Sequence, residues 1–243
     1  MSPRPTDVSE AQARQGAFFL VGSIVVTVLL YYVIPYGREI GRPLMLLSTL
    51  AHEMGHGIAG VIVGGDFIKF EMWWNGSGVA TTSGHFGRFA SAFISAGGLV
   101  GPAIVAAIGF AVGRTARGAR NALIVFGVGL ILADILVVRN FTGIIFVAGV
   151  AAVCLFVAAK GKPWASQLTL LFIASQLALS VFSRSDYLFT ATARTSAGPM
   201  PSDVAQMADN LFLPYWFWGA ACGLFSVLVL LVGLRAFFGS EEG

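Results

Sequence analysis

Three residues in the first quarter of the chain have the types and spacing to do chemistry: His52, Glu53 and His56, within the run His52-Glu53-Met54-Gly55-His56. On a helix, positions four apart share a face, so both imidazoles can grip one cation while the intervening glutamate reaches a water beside it. Two histidines and a carboxylate leave a zinc ion one open coordination position for that water. The metal lowers the water's pKa toward about 7, and Glu53 is placed to take its proton and pass it to a leaving amine. With only three histidines in 243 residues, random placement produces this HExxH pattern roughly once in a thousand sequences.

The surroundings of the motif are those of a membrane protein. The chain is 56% hydrophobic and 11% charged, with a mean hydropathy of +0.80, against roughly 25% charged residues in soluble domains. Histidine and glutamate are costly inside such apolar runs and mark function there. Spans of about 20 apolar residues are expected near 17–36, 43–65, 88–113, 121–138, 141–159, 164–183 and 213–238. The predicted fold class is therefore an all-α polytopic membrane protein of six to seven transmembrane helices. The closely spaced fourth and fifth segments are also compatible with one re-entrant hairpin.

The remainder reads as a single membrane-embedded domain over residues 1–243, with a polar tail at 1–16 and a long loop at 184–212. The first apolar run lacks a small-residue cleavage site and reads as an anchor. Cys154 and Cys222 lie far apart in apolar stretches and read as packing residues. Lys and Arg divide seven against eight between the two sides of a seven-span chain, so the loop-charge rule does not orient it. No basic run suggests a nucleic-acid surface, and the sequence leaves the oligomeric state open.

After the HExxH run, Ile68, Phe70, Met72 and Trp74 alternate with Phe67, Lys69, Glu71 and Trp73, ahead of Asn75-Gly76-Ser77-Gly78. That pattern predicts a β-hairpin over 67–82 with a glycine-rich turn. An exposed strand edge can hold a peptide extended by β-augmentation, which makes the hairpin a candidate substrate clamp. Gly55, Gly57, Gly60, Gly64 and Gly65, with the Gly97 and Gly101 pair, predict close packing of the second span on the third.

HExxH within a span, the following strand pair and Ser95-Ala96-Gly97-Gly98-Leu99-Val100-Gly101 together resemble the site-2 protease family of intramembrane zinc metallopeptidases. Gly98 and Gly101 stand where that family typically has Pro and Asn, as in a divergent bacterial and plant branch. Arg139-Asn140 before an apolar span, and Ser202-Asp203 leading into Pro214 and Trp218, extend the resemblance to most of the chain. It implies a zinc-dependent metallopeptidase of the cell membrane that cuts transmembrane or membrane-proximal segments of other proteins. Its partners would be a membrane-protein or peptide substrate and the lipid bilayer.

The Leu-Asp-Gly motif that supplies the third zinc ligand in the better-known members is missing. Asp203 best matches the branch pattern, with Asp186 as an alternative; Asp134, the one carboxylate inside a later span, competes by its depth, and His85 is a further possibility. A helix N-cap role would equally suit Asp203. A non-proteolytic metal-binding membrane protein, either transporter or regulatory pseudoprotease, is the alternative function, and a purely structural scaffold the third.

Overall fold

The computed structural model describes residues 5–183, 188–196 and 198–239. In chain order the elements are α1 (Pro5–Tyr32), α2 (Gly37–Ile40), α3 (Arg42–Ile62), β1 (Asp66–Met72), β2 (Gly78–Ser83), α4 (Arg88–Gly113), α5 (Ala116–Leu136), α6 (Phe141–Lys160), α7 (Pro163–Ser183), β3 (Thr192–Thr195), β4 (Gly198–Pro201), α8 (Asp203–Leu211) and α9 (Tyr215–Phe238). Each expected span coincides with a helix. Among the described residues five of them, α4, α5, α6, α7 and α9, are long and apolar enough to cross a membrane. Because α5 and α6 each reach that length separately, they need not form one re-entrant hairpin.

Two of the seven expected spans differ from the expectation. Helix α1 carries an apolar run across Arg14–Leu30 among the described residues, and its polar lead-in is already helical from Pro5, where a tail was expected. Helix α3 is 21 residues long, but Ser48, Thr49, His52, Glu53, His56 and its glycines replace the aliphatic side chains a lipid-facing helix carries. One face of it is interior, with Leu46, Leu50, Glu53 and Gly60 buried, while Ile58, Val61 and Ile62 are exposed toward its C-terminal end.

Backbone-to-backbone contact fixes α3 on α4. A Cβ on Gly55 would lie 2.2 Å from the Gly97 carbonyl oxygen, and one on Gly97 would lie 2.7 Å from that of Gly55. The glycines at 57 and 60 do not serve this crossing: Gly57 receives the Phe67 ring and Gly60 the Thr82 methyl. The glycines thus divide between a helix and the hairpin, because the hairpin lies along the adjacent face of α3. Gly64, at φ +86°, supplies the left-handed residue that ends the helix.

The hairpin over 67–82 forms as β1 and β2, antiparallel, with Phe70 opposite Ala80 and Met72 opposite Gly78. A bulge between Phe67 and Lys69 breaks the alternation, so Ile68 is exposed although it shares parity with the buried Phe70 and Met72. The outer edge of β1 is occupied. Phe70 exchanges backbone hydrogen bonds with Val137 and Arg139 at 2.7 and 3.0 Å. The Asn140 side chain donates to the Met72 carbonyl at 2.6 Å and accepts from its N–H at 3.1 Å. The same Asn140 oxygen caps α6 through the Gly143 N–H.

The long loop expected at 184–212 is built instead from β3, β4 and α8. Pro199 and Pro201 argue against a strand, yet both are accommodated in β4. Ser202 donates its N–H to the Ala191 carbonyl, which sets Pro199 and Pro201 at the positions whose nitrogens face the free edge. Val204 and Met207 of α8 pack with Ala92 and Leu99 of α4 and Cys222 of α9. Cys154 and Cys222 are both buried free thiols.

Candidate metal centre

Helix α3 presents His52 and His56 on one face, with their Nε2 atoms 3.2 Å apart. His56 Nδ1 lies 2.8 Å from the Ile94 carbonyl oxygen. A carbonyl only accepts, so Nδ1 carries the proton and Nε2 turns its lone pair toward His52. The approach needs Gly98: a Cβ there would stand 2.2 Å from His56 Nε2.

The third group comes from about 150 residues further along the chain. Asp203 Oδ2 is 3.1 Å from His52 Nε2, and Oδ1 is 3.3 Å from His56 Nε2. Among the described residues, these three form the one group of histidine, cysteine or acidic side chains close enough to share an ion, all ligand atoms lying within 4.8 Å of one another. Asp134 lies on α5 outside the group, with Oδ1 buried and unpartnered, and His85 is exposed. Asp186 lies outside the described residues.

Asp203 is not the N-cap that a reading of Ser-Asp allowed. Ser202 caps α8, its hydroxyl accepting from the Ala205 N–H at 3.2 Å and donating to the Thr190 carbonyl at 2.5 Å. Asp203 becomes the first helical residue, its carboxylate free for the imidazoles and favoured by the helix N-terminus. Burial alone would raise its pKa; the charge that His56 and His52 can carry outweighs burial and holds the carboxyl below its ordinary range.

The donor set fits a cation. Asp203 Oδ2 is buried without a hydrogen-bond partner, and once both imidazoles are neutral at the facing nitrogens, three electron-pair donors converge on one point. Two imidazoles and a carboxylate are the ligand chemistry of zinc sites that keep a fourth position open.

Glu53 stands beside this group and is only 7% exposed. Its Oε2 accepts the Ala80 N–H of β2 at 2.7 Å. A cavity of about 170 Å³ opens over the four side chains, walled by Gly78, Ala80 and Thr82 of β2, Ile94 and Ser95 of α4, and Ala193, Met200 and Pro201 of the second hairpin. The hairpin tips meet across it: Asn75 Nδ2 donates to Ser196 Oγ at 3.1 Å, and the Ser77 and Ser196 hydroxyls are 2.8 Å apart. Sequence reasoning did not find Ile94, Ala80 or the role of Gly98. Two backbone groups carry no sequence signal, and Gly98 was readable only as the residue in the motif's Pro place, not as the neighbour of His56.

Long apolar helices around a half-buried histidine, histidine and aspartate group that could hold a metal ion, with a glutamate beside it, define an integral membrane protein with a candidate metal centre. A family model described as Peptidase M50B-like matches residues 22–233. The chain belongs to that family, within the site-2 protease group of peptidases. No curated protein and no solved structure matches it.

Proposed function

We propose that this protein is an intramembrane zinc metalloendopeptidase of the cell membrane, hydrolysing peptide bonds in or near transmembrane segments of other membrane proteins. One observation carries the reading: the Asp203 carboxylate lies 3.1 and 3.3 Å from the two imidazoles of an HExxH helix, with the Glu53 carboxylate beside them. His52, His56 and Asp203 would hold zinc, which when bound supplies Lewis acidity and lowers the pKa of water.

The protein's own residues account for the rest. Ile94 fixes the His56 tautomer, and Asp203 contributes the negative charge that offsets a cation in a buried site. Glu53 takes the proton of the attacking water and delivers it to the amine released when the peptide C–N bond breaks. A target must be extended to present that bond, and the open edge of β2 along the cavity suits strand addition.

The non-proteolytic alternative drew its support from the missing Leu-Asp-Gly motif. Asp203 supplies a carboxylate without that motif, and no other observation favours the alternative. The test is metal analysis of purified protein together with cleavage of a tagged apolar segment of about 20 residues. Glu53→Gln should retain zinc while cleavage falls about 10²- to 10⁴-fold; undiminished cleavage would refute the assignment.

A further inference from the structure

The β2 strand does more than border the cavity. Phe70 and Met72 turn their N–H and C=O groups outward to Val137, Arg139 and Asn140, so the pairs Phe70–Ala80 and Met72–Gly78 are the non-hydrogen-bonded ones of the ladder. Ala80 and Gly78 therefore direct their backbone groups away from β1, to the free edge. At that edge stands Glu53, whose Oε2 takes the Ala80 N–H at 2.7 Å.

Gly78 makes the second contact. A Cβ there would lie 2.7 Å from Glu53 Cγ, 3.0 Å from Oε1 and 2.6 Å from Thr49 Cγ2, so only a bare Cα leaves the side chain where it is. The Thr49 hydroxyl in turn donates to the Gly76 carbonyl at 2.7 Å, tying the turn of the hairpin to α3. A glutamate has three side-chain torsions to immobilise. Here one oxygen is held by a charge-assisted hydrogen bond and the stem by van der Waals contact.

We propose that β2 is the positioning element for the base of the reaction, with the Ala80 N–H and the bare Cα of Gly78 fixing the Glu53 carboxylate in the cavity before substrate arrives. The inference rests on the peptidase reading for its catalytic consequence. A peptide laid along β2 meets Glu53 at Ala80, where the edge N–H is already taken, so an added ladder is interrupted at the residue that faces the base. Substrate strand and base are then registered against the same backbone. Misplacing a reacting group by about 1 Å costs about 100-fold in rate.

Ala80→Pro removes this N–H and nothing from the ladder, since a proline whose nitrogen faces a free edge is tolerated in a strand. In the zinc-loaded full-length protein, assayed with the tagged apolar segment, Ala80→Pro should lower kcat about 100-fold with KM little changed and zinc content intact. Ala80→Gly keeps the N–H and should restore kcat, Gly78→Ala should lower kcat by displacing the side chain, and Thr82→Pro should act on KM alone.

A second readout needs no turnover. In metal-free protein the Ala80 amide should exchange its hydrogen at least about tenfold faster in Glu53→Ala, while the Val79 amide, paired with β1, keeps its rate. Wild-type kcat in zinc-bound Ala80→Pro, or an Ala80 amide indifferent to Glu53→Ala, would overturn the positioning role. Cleavage by Glu53→Gln would instead overturn the peptidase reading, so the two failures are separable.

Discussion

The two hairpins that wall the cavity are opposites in their edges. β1 is sealed by Val137, Arg139 and Asn140, whereas β2 turns its other edge toward the metal centre, with the Ala80 N–H held by Glu53. β4 shows its free edge two proline nitrogens, which donate nothing. One hairpin can accept a strand and hold the base; the other closes the cavity with Ala193, Met200 and Pro201 and hands the chain on to Ser202 and Asp203. Under the proposed function, peptide and base belong to the first hairpin and the carboxylate ligand to the second.

Replacing the ligand itself should have the largest effect. Asp203→Ala is expected to reduce zinc affinity more than about 100-fold, beyond the loss typical of outer partners of a metal site, whereas Asp134→Ala should leave it unchanged; competition with a chelator measures both. Gly98→Ala comes next, because its Cβ would stand 2.2 Å from His56 Nε2. Zinc affinity should drop about 10- to 100-fold, and α4 would then prove as important to the centre as either hairpin.

Smaller effects separate the two sides. Asn140→Ala strips the Met72 N–H and C=O and the Gly143 N–H of their partners. It should cost about 1–3 kcal/mol of stability, seen as a lowered Tm, and slow cleavage more than it weakens zinc binding. Ser202→Ala removes the α8 cap at about 1 kcal/mol and should do the reverse, loosening zinc several-fold with the β2 side intact. If both variants change zinc binding and turnover in the same ratio, the division of labour between the hairpins fails.

The first side of the site was legible because its information is local. HExxH spacing, alternation from Phe67 to Trp74 and a glycine turn all act within 35 residues, although the bulge at Ile68 could not be foreseen from parity. The second side was legible only through the resemblance that singled out Ser202-Asp203. Its prolines disguised β4, and the choice among Asp134, Asp186 and Asp203 depends on how α4 and α9 bracket α8, a matter of packing that no periodicity encodes. The glycines of α3 were correctly read as contact points, but their division between α4 and β1–β2 follows from the hairpin's course along the helix.

Where α3 crosses α4, Gly55 and Gly97 bring main chain against main chain, with no flexible side chains between them to absorb a displacement. A close-packed contact of that kind tolerates neither rotation nor sliding of one rod on the other. His52 and His56 are thereby mounted on the stator of the fold, and under the proposed function room for a bulky polypeptide would come from the parts around it.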